Sequence, residues 1–391
     1  MNVTLHLTTG CNLKCTYCFE GDHASRTDMS ADVARAAVDF ALRDGGASPG
    51  IVFFGGEPLL KRDLIVELID YAKNASARAG AIPHFKITTN GVLLDDAFLE
   101  TCRREDMAIS LSFDGLEQAQ NRHRLNLAGQ GTFDHVSDRA RALLKYRPYS
   151  PVIIVTTPET VQWAHASVRY LLDLGFRYII FQINYAGAWT DEKLAELEQQ
   201  YWLMAQTYVD MTRREEKFYL SQFDIKIATK IRGAGARGLM CRLGIRQVSV
   251  APDGKLFPYV QFVPHGDGRR DGTHAIGDVW QGVDESSRMA HFQETEREEP
   301  ECAGCDIKDR CNRHCGCLNL QTTGELGKPD SVVCEHERMV TPISDWIGET
   351  LWGERAPMFV QKHYNKGFAI LSLIEDRSDG DAPAVPPKAA G

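Results

Sequence analysis

Six short apolar runs, separated by stretches of helical periodicity, fill the first 185 residues and leave few folds open. Val3 to Thr8 alternates apolar and polar residues and stops just before Cys11, and Ile51 to Phe54 is an apolar run halted by Gly55. Phe85–Thr89, Met107–Phe113, Val152–Thr157 and Tyr178–Asn184 read the same way. Between the runs, Ser30 is a good helix cap, with Val33, Ala37, Phe40 and Ala41 behind it at helical spacing until Gly45 and Gly46. Leu64, Ile65, Leu68, Tyr71 and Ala72 mark the next helix, and Phe133–Tyr146 and Glu159–Leu174 mark two more. Strands alternating with helices imply βαβ units and a parallel sheet. Six units rather than eight predict an α/β fold of the partial (β/α)6 TIM-like barrel kind.

From Thr190 a long polar helix carries Leu194, Leu197, Tyr201, Met204, Tyr208 and Met211 at steps of three and four. The pattern lasts under three heptads, so a core-facing stripe fits better than a coiled coil. Beyond residue 235 the chain turns Gly-, Cys- and Arg-rich with little periodicity, as in regions organised around metal rather than a large apolar core. The expected division is a core over 1–189, a helical connector over 190–234, a cysteine-rich region over 235–340 and a helical segment over 341–375. A Pro/Ala/Asp-rich tail over 376–391 is expected to be disordered. A net charge of −9 argues against nucleic-acid binding. No apolar run approaches the ~20 residues of a membrane span, and Met1 to Gly10 lacks the layout of a secretory signal. A cytoplasmic protein is expected.

Eleven cysteines in such a chain point to metal rather than disulfides. Cys11, Cys15 and Cys18 form C-x3-C-x2-C on the loop after the first strand, where ligand sites of parallel α/β sheets lie. Three thiolates can hold three corners of a 4Fe–4S cluster and leave the fourth iron open for a ligand; a zinc site with a distant fourth ligand is the alternative. Cys102 reads as a small buried hydrophobe. His265 and His274 flank a Gly/Arg/Asp-rich stretch read as a loop rather than as metal ligands.

The triplet with aromatic Tyr17 before its third cysteine resembles the radical S-adenosyl-L-methionine (radical SAM) superfamily. Gly55-Gly56-Glu57-Pro58 follows the second strand, Thr88-Thr89-Asn90-Gly91 the third, and Ser110 to Gly115 ends the fourth. The resemblance implies a 4Fe–4S cluster on Cys11, Cys15 and Cys18. It also implies SAM held by Tyr17, Gly55, Gly56, Glu57, Pro58, Thr89, Asn90, Ser112 and Arg124. Glu57 would meet the methionine ammonium, and Arg124 its carboxylate. One electron from an external flavodoxin- or ferredoxin-like reductant would then cleave SAM to a 5′-deoxyadenosyl radical that abstracts hydrogen from substrate.

The C-terminal run, Cys302-x2-Cys305-x5-Cys311-x3-Cys315-x-Cys317 with Cys334 after it and Cys241 before, resembles the SPASM domain of peptide- and protein-modifying members. By that resemblance Cys302, Cys305, Cys311 and Cys334 hold one auxiliary iron–sulfur cluster, and Cys241 and Cys315 contribute to another. The family's Gly-x4-Cys is here Gly254 to Tyr259, so that cluster lacks a thiolate. Cys317 or the Tyr259 phenolate stands in, the site stays open, or the cluster is smaller or absent. The substrate implied is a ribosomally made peptide or a protein side chain, modified by cross-linking, thioether formation, epimerisation or oxidation. An anaerobic sulfatase maturase forming formylglycine is the alternative; its members carry an aspartate where this chain has Val260. With the first strand starting at Val3, no N-terminal leader-binding domain is expected, and a separate leader-binding protein would supply that role. An iron–sulfur electron carrier or a zinc-stabilised binding module is the reading from a different class.

Overall fold

The computed structural model describes residues 1–21, 26–233, 241–264, 272–365 and 374; His265 and the tail expected over 376–391 lie outside them. The first half is β1 (Asn2–His6), α1 (Ala31–Asp44), β2 (Gly50–Phe54), α2 (Arg62–Ala79), β3 (His84–Thr89), α3 (Asp96–Arg104) and β4 (Ala108–Ser112). It continues through α4 (Glu117–His123), α5 (Phe133–Tyr146), β5 (Pro151–Thr156), α6 (Ala164–Leu174) and β6 (Tyr178–Ile183). Then come α7 (Asp191–Arg213), β7 (Tyr219–Leu220), α8 (Ser221–Arg232) and the hairpin of β8 (Gln247–Val250) and β9 (Leu256–Phe257). The remaining described elements are β10 (Gly277–Asp278), β11 (Gly282–Val283), α9 (Glu285–Glu296), α10 (Gly316–Thr323), α11 (Ser331–Gly353) and α12 (Pro357–Tyr364).

Strands β1 to β6 lie side by side in sequence order, each parallel to the next, giving the six-unit α/β sheet that the alternation predicts. Local chemistry sets several ends. The Ser30 hydroxyl accepts the Val33 N–H at 3.2 Å, and the Thr190 hydroxyl accepts the Lys193 N–H at 3.3 Å, each satisfying an orphan donor at a helix start. The helix expected from Glu159 begins later. Thr157 N–H donates to the Thr160 hydroxyl at 3.0 Å and Thr160 N–H returns to the Thr157 carbonyl at 3.0 Å. That closed turn delays the α-helix to Ala164, behind a short 3-10 turn over Val161–Trp163.

The cysteine-rich region is built onto this sheet. β8 pairs in parallel with β1, Asn2 opposite Gln247 through Leu5 opposite Val250, and β9 folds back on β8. The main core takes side chains from every strand from β1 to β8 and from α7 and α11. Leu197, Tyr201, Met204, Tyr208 and Met211 of the expected α7 stripe are all buried. A second apolar cluster, Leu243, Ala251, Phe257, Phe262, Val263, Cys317 and Leu326, sits under the cysteine-rich region. More regular structure is present there than the composition suggests, because α11 starts at an Asp330 cap and buries Val333, Val340, Ile343, Ile347 and Leu351. α11 runs unbroken through residues 340 and 341. Lys226 of α8 pairs with Glu337 of α11, both buried, and Arg310 forms a two-pronged pair with Asp345 at 2.6 and 2.9 Å. Among the described residues no helix is long and apolar enough to cross a membrane.

Candidate active site at the strand ends

The loop after β1 carries Cys11, Cys15 and Cys18, and the loop after β2 holds it in place. Gly56 N–H donates to the Thr8 carbonyl at 2.9 Å, and Glu57 N–H to the Gly10 carbonyl at 3.0 Å. Gly55 has φ +129°, and a Cβ there would lie 2.2 Å from the Thr8 oxygen; one on Gly56 would lie 2.3 Å from the Gly10 oxygen. The close approach these glycines permit is therefore to the cysteine loop itself. Within the loop, Cys18 N–H donates to the Cys15 carbonyl at 3.0 Å, and the Cys11 sulfur accepts Leu13 N–H at 3.4 Å. The Asn90 amide reaches the Asn12 side-chain oxygen at 2.8 Å and the Cys11 sulfur at 3.8 Å.

These residues suit a bound cluster. The three thiols act electrostatically on one another, and burial raises the pKa of each, Cys18 to about 12. Such thiols stay protonated unless a metal replaces the proton. The Asn12 Nδ2 beside them is buried with no hydrogen-bond partner in the protein, a donor left for a ligand. Among the described residues no three His, Cys, Asp or Glu side chains converge on a single metal ion. A cubane does not require that, because each thiolate binds a separate iron.

Glu57 is fully buried. Its Oε1 accepts Leu59 N–H at 3.0 Å and the Thr89 hydroxyl at 2.8 Å, and its Oε2 accepts Asn90 N–H at 2.8 Å. Burial lifts its pKa to about 7, against the pull of those donors. Three of a carboxylate's roughly four acceptor positions are thus taken inside the protein. What Glu57 does in this structure is tie the loop after β2 to the loop after β3. Pro58 opens the 3-10 turn Pro58–Lys61, and Ser112 is half-buried at the C-terminal end of β4.

Asp114, just past β4, is the hub that the sequence reading passed over. Its Oδ2 accepts the Tyr17 hydroxyl at 2.5 Å and Arg124 Nε at 3.0 Å, and its Oδ1 accepts Val155 N–H at 3.0 Å. Arg124 is 6% exposed; its guanidinium carbon lies 5.4 Å from the Tyr17 ring centroid. Burial raises the Cys15 pKa, and the Arg124 charge opposes that rise. Beside this group His123 bonds the Thr16 hydroxyl at 2.5 Å and the Thr157 hydroxyl at 2.8 Å. A cleft of about 290 Å³ opens here, lined by Thr16, Tyr17, His123, Thr157, Glu159 and Asn184 among others. The sequence signal for Asp114 was its place in Asp-Gly at a strand end, where Gly115 takes φ +91°; its partner ten residues on is set only by the fold.

The C-terminal cysteines gather in two groups. Cys302 and Cys305 act electrostatically on the Cys334 thiol, and Cys334 on that of Cys311. Separately, the Cys315 thiol bonds Cys241 and Cys317, with the Cys315 and Cys317 sulfurs 3.3 Å apart. Tyr259 and Cys315 pack against the apolar cluster that contains Leu243 and Cys317. Tyr185, two residues past β6, bonds His336 at 3.0 Å on the helix that carries Cys334. His274 bonds His291 at 3.1 Å and packs on Phe262. Cys102 is fully buried in α3, as packing requires.

A parallel β/α sheet with three cysteines on its first loop and a braced carboxylate after its second strand defines the class: enzymes that work at the C-terminal edge of such a sheet. Residues 5–196 match the Radical SAM superfamily, and the chain belongs to it, a family of enzymes using a 4Fe–4S cluster and SAM. The chain is similar to the cysteine-type anaerobic sulfatase-maturating enzyme of Clostridium perfringens strain 13, 26% identical over 193 residues, 48% of this chain and 52% of that one. It is also similar to the serine-type enzyme of Klebsiella aerogenes, 28% identical over 183 residues, 44% of each chain. The matched region thus spans about half the length of these curated relatives. In fold, native anSMEcpe with bound AdoMet and Cp18Cys peptide is similar at TM-score 0.76 and 17% identity, over 90% of this chain and 98% of that one.

Proposed function

We propose that the chain is a radical SAM maturase acting on a peptide or protein side chain. The supporting observation is Tyr185: it lies on the loop after β6 at the strand ends, where the Cys11 loop also lies, and its hydroxyl bonds His336 at 3.0 Å, two residues from Cys334 on α11. A large substrate reaching the strand ends would therefore meet the cysteine-rich region as well. In this reading Cys11, Cys15 and Cys18 hold the 4Fe–4S cluster. Cys302, Cys305, Cys311 and Cys334 hold one auxiliary cluster, and Cys241 and Cys315 belong to a second. When bound, cluster and SAM supply a 5′-deoxyadenosyl radical that takes hydrogen from an unactivated carbon. The chain's own residues position: Glu57, Thr89 and Asn90 brace the loops around the cofactor, and Asp114 fixes Tyr17 and Arg124, whose guanidinium is the group that would meet a carboxylate. Ser112, Gly55, Gly56 and Pro58 shape the same rim. An external one-electron reductant belongs to this reading. So does a reducing cytoplasmic setting, and so does a separate leader-binding protein if the substrate is a precursor peptide.

The sulfatase-maturase reading is favoured by the relatives named above. Against it, position 260 is Val, which offers no base. One experiment addresses both. After anaerobic reconstitution with iron and sulfide, the reduced protein should convert SAM to 5′-deoxyadenosine, and Cys15→Ala should abolish this. No 5′-deoxyadenosine from the intact protein overturns the reading. An aldehyde in a Cys- or Ser-containing sulfatase peptide would select the sulfatase form.

A further inference from the structure

Cys317 and Tyr259 have no assigned role, yet the fold delivers both to one place. Residues two apart on a helix point to nearly opposite sides. Cys317 lies in the first turn of α10, and Cys315 flanks that helix with φ −79° and ψ 86°. This non-helical backbone swings the Cys315 side chain round, so the two sulfurs meet at 3.3 Å. Gly316 between them is packed tightly, since a Cβ there would lie 2.6 Å from the Thr295 side chain and 2.9 Å from Leu243. Cys241 is a hydrogen-bond partner of Cys315, and Leu243, two residues on, packs in the same apolar cluster as Cys317. Tyr259 leaves β9 into the same space: it and Cys315 pack against one apolar cluster, which holds Leu243, Phe257, Phe262, Leu326 and Cys317 itself. Cys302, Cys305, Cys311 and Cys334 belong to the other group. A cysteine that only packs, as Cys102 does, needs no such convergence.

We propose that Cys241, Cys315 and Cys317 bind three irons of an auxiliary 4Fe–4S cluster, and that the Tyr259 phenol oxygen binds the fourth. This rests on the auxiliary-cluster part of the function proposed above and adds the ligand set. Cys317 stands in for the thiolate missing at 259, and the tyrosine supplies a hard oxygen donor where four sulfurs would be expected. Binding releases the phenol and thiol protons.

The test uses the full chain with Cys11→Ala, Cys15→Ala and Cys18→Ala together, reconstituted anaerobically, so that bound iron reports the C-terminal groups alone. About eight irons per chain are expected for two cubanes, falling to about four when Cys317→Ser is added. Tyr259→Phe keeps the ring and all three thiols; it should abolish the iron–phenolate bands that resonance Raman detects in the parent. Iron near eight with Cys317→Ser, or a Raman spectrum unchanged by Tyr259→Phe, overturns the ligand set while leaving auxiliary clusters in place. No iron in the triple-alanine parent overturns the auxiliary-cluster reading itself.

Discussion

Asp114→Asn should be among the most damaging single changes near the cysteine loop, although Asp114 is not a ligand. Asp114 is 1% exposed and its partner Arg124 6%, so water screens neither charge. The substitution keeps size, and the amide oxygen can still accept Val155 N–H, now 3.0 Å from Oδ1. The new amide nitrogen, however, would face two donors, the Tyr17 hydroxyl at 2.5 Å and Arg124 Nε at 3.0 Å from Oδ2. Removing one member of a buried ion pair leaves the other charge unpaired and costs ~3–5 kcal/mol. Tyr17 and Cys15 share the loop that Arg124 touches, so part of that loss should appear as looser cysteine placement. Guanidinium unfolding of the metal-free protein measures the first effect, and iron content after reconstitution the second. The double variant Asp114→Asn with Arg124→Met removes the stranded charge and should recover more than half of the loss, a coupling that a double-mutant cycle reads directly. A loss below ~1 kcal/mol, or a double variant whose loss is the sum of the two singles, would refute the role given to this pair.

Two further outcomes follow from other sites. Asp224 is buried, which pushes its pKa up, but Lys362 at 2.7 Å and His363 at 3.2 Å overcome that and hold it near 2 against an ordinary 3.8. A depressed carboxylate stabilises the fold above its unfolded pKa and loses that contribution as pH falls through the folded one. About 2 kcal/mol should therefore fade between pH ~4 and ~2, and Asp224→Asn should flatten the urea midpoint across that window. Gly56→Ala places a methyl 2.3 Å from the Gly10 carbonyl oxygen, backbone against backbone. It should displace the Cys11 loop, cost ~1–3 kcal/mol, and lower iron at the N-terminal site while the C-terminal iron stays.

Features readable from local chemistry were visible in the sequence: the Ser30 and Thr190 caps, the strand ends at Gly55 and Asn90, and the thiol triplet. Periodicity and turn residues act within a few positions of themselves, so one chain segment suffices to show them. What could not be read was which distant group a side chain would meet. The Glu57 carboxylate accepts from Thr89 and Asn90, beyond the next helix, partners that no local pattern names. Arg124, expected to meet the methionine carboxylate, is also paired with Asp114 inside the protein, a partner that only the fold supplies. The β8–β9 hairpin has its Asp253-Gly254 turn in plain view, with Gly254 at φ +88°. That β8 would pair with β1, more than two hundred residues away, has no local signature.

That pairing decides how the cysteine-rich region is carried. Domains joined by linkers meet across modest polar interfaces and move relative to one another. Here the hairpin hydrogen-bonds along β1, and buried Lys226 and Glu337 bridge α8 to α11. His336 of α11 bonds Tyr185 at 3.0 Å and Tyr201 at 2.8 Å. A buried polar network with its members satisfied favours one arrangement over neighbouring ones. Tyr185, His336 and Tyr201 therefore fix the separation between the strand-end loop after β6 and the helix that carries Cys334. The strand-end loop after β6 and the helix that carries Cys334 are thus joined by buried contacts of one fold rather than across a linker.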